Sequence, residues 1–95
     1  MNVQDIAAEK GALFLDEVLP GWVDHINVEA VDIKLKSRCI LGQLAGGYYT
    51  GLRRLRIKDE YGYGFSLPAP PPDSTWTRLQ EAWISEIEKR RSVNV

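Results

Sequence analysis

The stretch Asp73-Ser74-Thr75-Trp76-Thr77-Arg78-Leu79-Gln80-Glu81-Ala82-Trp83-Ile84-Ser85-Glu86-Ile87-Glu88-Lys89-Arg90-Arg91 (73–91) decides the fold class. Trp76, Leu79, Trp83 and Ile87 recur at steps of 3 and 4, the spacing of one apolar helix face. Asp73 or Ser74 supplies an N-cap. Glu86 and Arg90 stand at i,i+4 in the favourable order, and Lys89-Arg90-Arg91 suits the negative pole of the helix. Just upstream, Leu67-Pro68-Ala69-Pro70-Pro71-Pro72 reads as a stiff extended connector, because successive prolines favour polyproline II and forbid helix. Its proline-rich part, 68–72, is too short to separate two domains.

A second helix is expected at the other end of the chain, over residues 3–19. Asn2 can cap it with Asp5 in the first turn, and Pro20-Gly21 ends it. Val3, Ala7, Phe14 and Val18 form one stripe, widened by Ala8, Ala12, Leu15 and Leu19. Gly11 costs about 1 kcal/mol relative to alanine there unless a close contact uses its small size. Trp22 then folds back as a core anchor.

Between these helices the pattern is mixed. Ile26–Val28 and Val31–Lys36 alternate like strands, yet Asn27 can cap a helical turn over Val28–Val31. Strands this short need a partner that the chain does not offer, so a turn plus an extended connector is expected. Ser37 is a plausible cap for a helix carrying Ile40, Leu41, Leu44 and Ala45. Gly46-Gly47 then caps or kinks it, and helical spacing resumes from Tyr48 to about Ile57. Asp59 to Gly64 forms a turn. The expectation is a single all-α domain over 1–95, a small bundle of three to four helices with an irregular connector. Ninety-five residues suit one core.

Net charge is −1, but the charges are segregated. Residues 1–32 carry seven acids and one lysine. Residues 33–58 carry Lys34, Lys36, Arg38, Arg53, Arg54, Arg56 and Lys58 with no acid, and 59–88 carry six acids and one arginine. Either the acidic regions pack beside the basic one and neutralise it, or the basic segment is a contact face. No apolar run approaches the roughly 18–20 residues that cross a bilayer. The N-terminus lacks the basic and apolar pattern of a secretory signal. A lone cysteine fits a reducing cytoplasm.

Catalytic and metal readings are poorly supplied. His25 and Cys39 are each the only residue of their type, short of the four ligands of a structural zinc site. Cys39 as nucleophile with His25 as base and Asp24 or Asp32 as orienter is conceivable, and a helix start beside Lys36 and Arg38 would lower its pKa. A half-buried structural cysteine is the simpler reading. Gly42, Gly46 and Gly47 fit neither a P-loop nor a dinucleotide fingerprint. No cofactor is expected.

Contact residues are better supplied. Tyr48 and Tyr49 precede Arg53, Arg54 and Arg56 on one predicted helix, and tyrosine and arginine are enriched in interface hot spots. The same arginines could hold phosphates while the rings stack on bases, although a pI near 5.8 is low for a nucleic-acid domain. Tyr48, Tyr49, Arg53, Arg54 and Arg56 are therefore the candidate binding residues.

Gly11-Ala12-Leu13-Phe14-Leu15-Asp16, Pro20-Gly21-Trp22, Cys39-Ile40-Leu41-Gly42-Gln43-Leu44-Ala45-Gly46, Gly51-Leu52-Arg53 and Tyr61-Gly62-Tyr63-Gly64-Phe65 together resemble small uncharacterised proteins of actinobacteria and their bacteriophages. The likeness reaches Leu79–Ile87. Relatives place a second cysteine where this chain has Lys36, which weakens a metal or dithiol role. The resemblance carries over no activity and no functional residue. It implies a bacterial cytoplasm and a phage protein that binds a host protein. The expected function is a non-enzymatic protein-interaction module with a host or self partner, a homodimer included. A nucleic-acid-binding regulator using 34–58 is the alternative, and a Cys39-based enzyme the second.

Overall fold

The computed structural model describes residues 2–68 and 71–92; Ala69 and Pro70 of the expected connector lie outside them. Among the described residues there are four α-helices and no strand: α1 (Val3–Val18), α2 (Ile40–Ala45), α3 (Tyr48–Arg54) and α4 (Asp73–Ser92). Two 3₁₀ turns, Trp22–His25 and Val28–Ala30, fill the link between α1 and α2. The all-α expectation holds, and the alternating residues 26–36 form turns. α1 packs along α4, α2 packs against α3, and the first 3₁₀ turn touches both α4 and α2.

α1 starts where its sequence predicts. Asn2 Oδ1 accepts the Asp5 N–H at 2.9 Å while the Asp5 carboxylate reaches back to the Asn2 N–H, closing a capping box. Ala7, Ala8, Ala12 and Leu15 of the expected stripe are buried, joined by Gly11, whereas Val3 is 73% exposed and Val18 also faces solvent. Small residues are buried because α4 brings Trp83 to this face. A Cβ on Gly11 would lie 2.1 Å from the Tyr63 carbonyl oxygen and 2.7 Å from the Trp83 ring. That close approach is what the helix-weakening glycine permits.

Trp83 is fully buried, donates its indole N–H to the Gly64 carbonyl at 2.6 Å, and stacks with Phe65 at 5.4 Å between ring centroids. Trp22, the expected anchor, meets Trp83 edge-on at 6.0 Å and donates to Asp16 at 2.9 Å. Both indoles thus place their apolar bodies in the core and satisfy their polar tips, as buried tryptophans require.

Three helix boundaries depart from the sequence reading. α2 is capped by Cys39, not Ser37: the Gly42 N–H donates to Cys39 Sγ at 3.3 Å. Asp73 is the first residue of α4 and lies inside the helix. α3 stops at Arg54, three residues short of Ile57.

The connector is fastened by side chains. Asn27 and Gln43 exchange hydrogen bonds at 2.7 and 3.2 Å, and Gln80 Oε1 accepts the Ile33 N–H at 3.1 Å. Arg91 of α4 donates to the carbonyls of Val23, at 2.7 Å, and Ile26. These bonds satisfy backbone groups that the segment's own turn hydrogen bonds leave over. They also hold residues 32–38 beside α3 and α4, where the basic side chains begin.

Candidate interaction surface

α3 follows α2 after Gly46, whose left-handed backbone (φ 83°) ends α2 and turns the chain. Successive helical residues point about 100° apart, and here the two tyrosines take opposite environments. Tyr48 turns inward. It is 8% exposed, and its hydroxyl donates to the Glu60 carboxylate. Burial, and then that carboxylate, push its pKa well above the ordinary tyrosine value. Tyr48 is thus mostly a core residue, and its remaining surface lines a cavity beside Tyr49. Tyr49 turns outward and is 55% exposed, packed edge-on against Tyr48 at 5.2 Å. The Lys36 ammonium lies over its outer ring, 4.6 Å from the centroid.

Arg53 lies one helical turn after Tyr49, at i,i+4, and so on the same side of α3. Arg53, Arg54, Arg56 and Lys58 are all exposed. Among the described residues none of these four makes an ion pair.

The expected neutralisation of this segment by the acidic regions is therefore largely absent. Among the described residues of this segment only Lys34 forms an ion pair, with Asp73 at 3.3 Å, both side chains exposed. Two of the four acids of α1 pair with α4 instead. Asp5 pairs with Arg78 at 3.2 Å, and Asp16 pairs with Arg90 at 2.9 Å. Arg90 also holds Glu86 at 2.9 Å, as the i,i+4 spacing predicts, and lies 5.9 Å from the Trp22 ring. Hydrogen bonds from Arg90, helped by one from Trp22, keep the Asp16 pKa below its ordinary value. The last helix thus uses its own cations on the first, leaving the middle segment's cations outward.

The end of α3 places Arg56. Its N–H donates to the Arg53 carbonyl at 3.2 Å, and the Ile57 N–H donates to the Leu52 carbonyl at 2.9 Å. This pair of bonds is a Schellman motif, whose C′ residue adopts the left-handed conformation usually given to glycine. Here that residue is Arg56, with φ 56°, the one non-glycine at positive φ among the described residues. Leu52 and Ile57 pack under the motif against the core. Nothing in residues 53–57 marks this helix end by residue type, which is why the helix was expected to run to Ile57.

Beside this arc lies a cavity of about 150 Å³. Its rim and walls include Lys34, Lys36, Tyr49, Tyr61, Ser66 and Trp76. It was not foreseen, because it draws on four separate chain segments. Tyr61, 47% exposed, is the signal that could have pointed to it, as an aromatic in a glycine-flanked turn.

Cys39 also lines this cavity, whereas His25 is not among its lining residues. Cys39 is buried at the start of α2, and its sulfur is occupied as the helix cap. Burial raises its pKa, against the lowering expected from Lys36 and Arg38. His25 is exposed in the first 3₁₀ turn. Among the described residues no three His, Cys, Asp or Glu side chains are grouped as a metal site, and no helix is long and apolar enough to cross a membrane. Comparison of the chain with family models, with curated proteins and with solved structures finds no match.

Proposed function

We propose that this chain is a small non-enzymatic interaction protein that binds a protein partner through Tyr49, Arg53, Arg54 and Arg56, with Lys36 and Lys58 at the edges. The setting that goes with this reading is the cytoplasm of a bacterial host, with the chain phage-encoded and the partner a host protein. That setting rests on the motif resemblance.

The observation that carries the reading is the division of the charges. Acids of α1 are paired with arginines of α4, while four cations over 53–58 are exposed with no ion pair among the described residues. An exposed arginine contributes little to folding, and a tyrosine beside it offers rigid contact area, so the pair serves an outside surface better than the fold. A thiol that is buried, raised in pKa and engaged as a cap supports the non-enzymatic reading over a Cys39 nucleophile.

The second reading is a nucleic-acid regulator, favoured by the same unpaired arginines beside an exposed ring. Against it stand the shortness of α3 and the flanking acids Asp59 and Glu60. The two are separated by affinity capture from host lysate with wild-type protein and with Arg53→Glu/Arg54→Glu, their folds compared by circular dichroism. The interaction reading expects a stoichiometric host protein that survives nuclease treatment and is lost with the variant. Capture of nothing, equal capture by the variant, or loss on nuclease treatment overturns it.

A further inference from the structure

Resting on the reading of 49–58 as a protein-binding face, the partner's chemistry can be narrowed. We propose that the partner presents an acidic segment carrying one aromatic side chain. The acids lie along Arg53, Arg54, Arg56 and Lys58, and the aromatic ring enters the cavity beside Tyr49.

Charge sets the first half. The four cations have no acid of this chain in contact among the described residues, and the arc continues through Lys36 above Tyr49. A partner of opposite sign is steered to such a patch and held in register. Arg56 adds weight to this half. A glycine at its position would relieve the left-handed strain, so the guanidinium is kept at some expense to stability.

The cavity sets the second half. Its volume of about 150 Å³ admits one six-membered ring. Tyr49, Tyr61 and Trp76 give it aromatic walls, on which a ring packs edge-on or offset. Lys34 and Lys36 sit on its rim, so residues flanking the inserted ring meet ammonium groups. The Lys34–Asp73 pair is exposed and weak, leaving Lys34 free to exchange partners. Glu60, the one carboxylate lining the cavity, accepts a hydrogen bond from Tyr48. A buried aromatic anchor ringed by charged contacts is the usual anatomy of a small, specific interface.

The test is calorimetric titration of the full chain at low salt with three probes: a short glutamate-rich peptide with one central phenylalanine, the same peptide with alanine there, and a non-specific DNA duplex. The phenylalanine peptide is expected to bind about tenfold tighter than the alanine peptide. Tyr49→Ala, a change at an exposed residue, should erase that advantage, bringing the two peptides to equal affinity. Arg53→Glu/Arg54→Glu should weaken both peptides. Equal affinities, an advantage that survives Tyr49→Ala, tighter binding of the duplex, or no binding of either peptide overturns the proposal. If host-protein capture is still lost with Arg53→Glu/Arg54→Glu, the interaction reading survives such a failure. If both capture and peptide binding ignore that variant, the reading itself is wrong.

Discussion

Arg56 sets folding against contact at a single residue. Its φ of 56° puts a long, charged side chain where the Schellman motif ordinarily takes glycine, at a cost of about 1 kcal/mol. Arg56→Gly should therefore raise the unfolding free energy by about 0.5–1 kcal/mol, read by urea titration, while weakening partner binding. Arg56→Ala should lose binding with no gain in stability, since the strain stays. A destabilised Arg56→Gly would show that the side chain supports the fold. The same residue explains a misplaced boundary. With no glycine or proline in 52–58, the end of α3 at Arg54 had no residue-type signal, although the hydrogen bonds that close it are regular. Tyr48 and Tyr49 were legible as a pair of interest. Only the phase of α3 decided that one ring goes inward to Glu60 and the other outward to Lys36. The first helical residue is set by the turn at Gly46-Gly47, and its phase is a tertiary property.

At the scale of elements, α1 and α4 are joined by a small core seam and by charge. Gly11 and the alanines of α1 let the helices approach until Trp83 touches backbone, and Asp16–Arg90–Glu86 closes the edge. The existence of both helices was readable from periodicity and caps. The buried face of α1 was readable in large part, since Ala7, Ala8, Ala12 and Leu15 of the expected stripe lie inside. At its edge, size complementarity to Trp83 outweighs apolar bulk and leaves Val3 and Val18 outside. The cap at Cys39 was missed for a related reason, since a hydroxyl is the expected cap and a thiol is a weak acceptor. The Asp16 pairing carries a pH signature. Its carboxyl pKa is depressed from an ordinary 3.8 by the Arg90 hydrogen bond, so the folded state prefers the ionised form. Its stabilisation is complete above about pH 5 and is lost as the pH falls below about 4, through the folded-state pKa. Denaturation at a series of pH values should show a decline in that window that is shallower in Asp16→Asn. An identical slope in wild type and variant would mean that other carboxylates carry the acid sensitivity.

Over the whole molecule, the charge blocks are visible in the sequence, but their pairing is not. Acidic residues 1–32 precede a segment of opposite sign and similar weight at 33–58, and mutual packing looked as reasonable as outward display. The topology decides it, because α1 lies along α4 and not along α3. Arg78 and Arg90 of α4 then pair with Asp5 and Asp16 of α1, and Arg53, Arg54, Arg56 and Lys58 make no ion pair among the described residues. The account's central claim is that these cations are kept for an outside contact and are dispensable to the fold. Urea unfolding of Arg53→Gln/Arg54→Gln against wild type tests it most directly. Loss of favourable charge from the last turn of α3 should cost at most about 1 kcal/mol, with an unchanged slope against denaturant. A loss of about 3 kcal/mol or more would contradict the account, because it would place the two arginines among the interactions that hold the fold together.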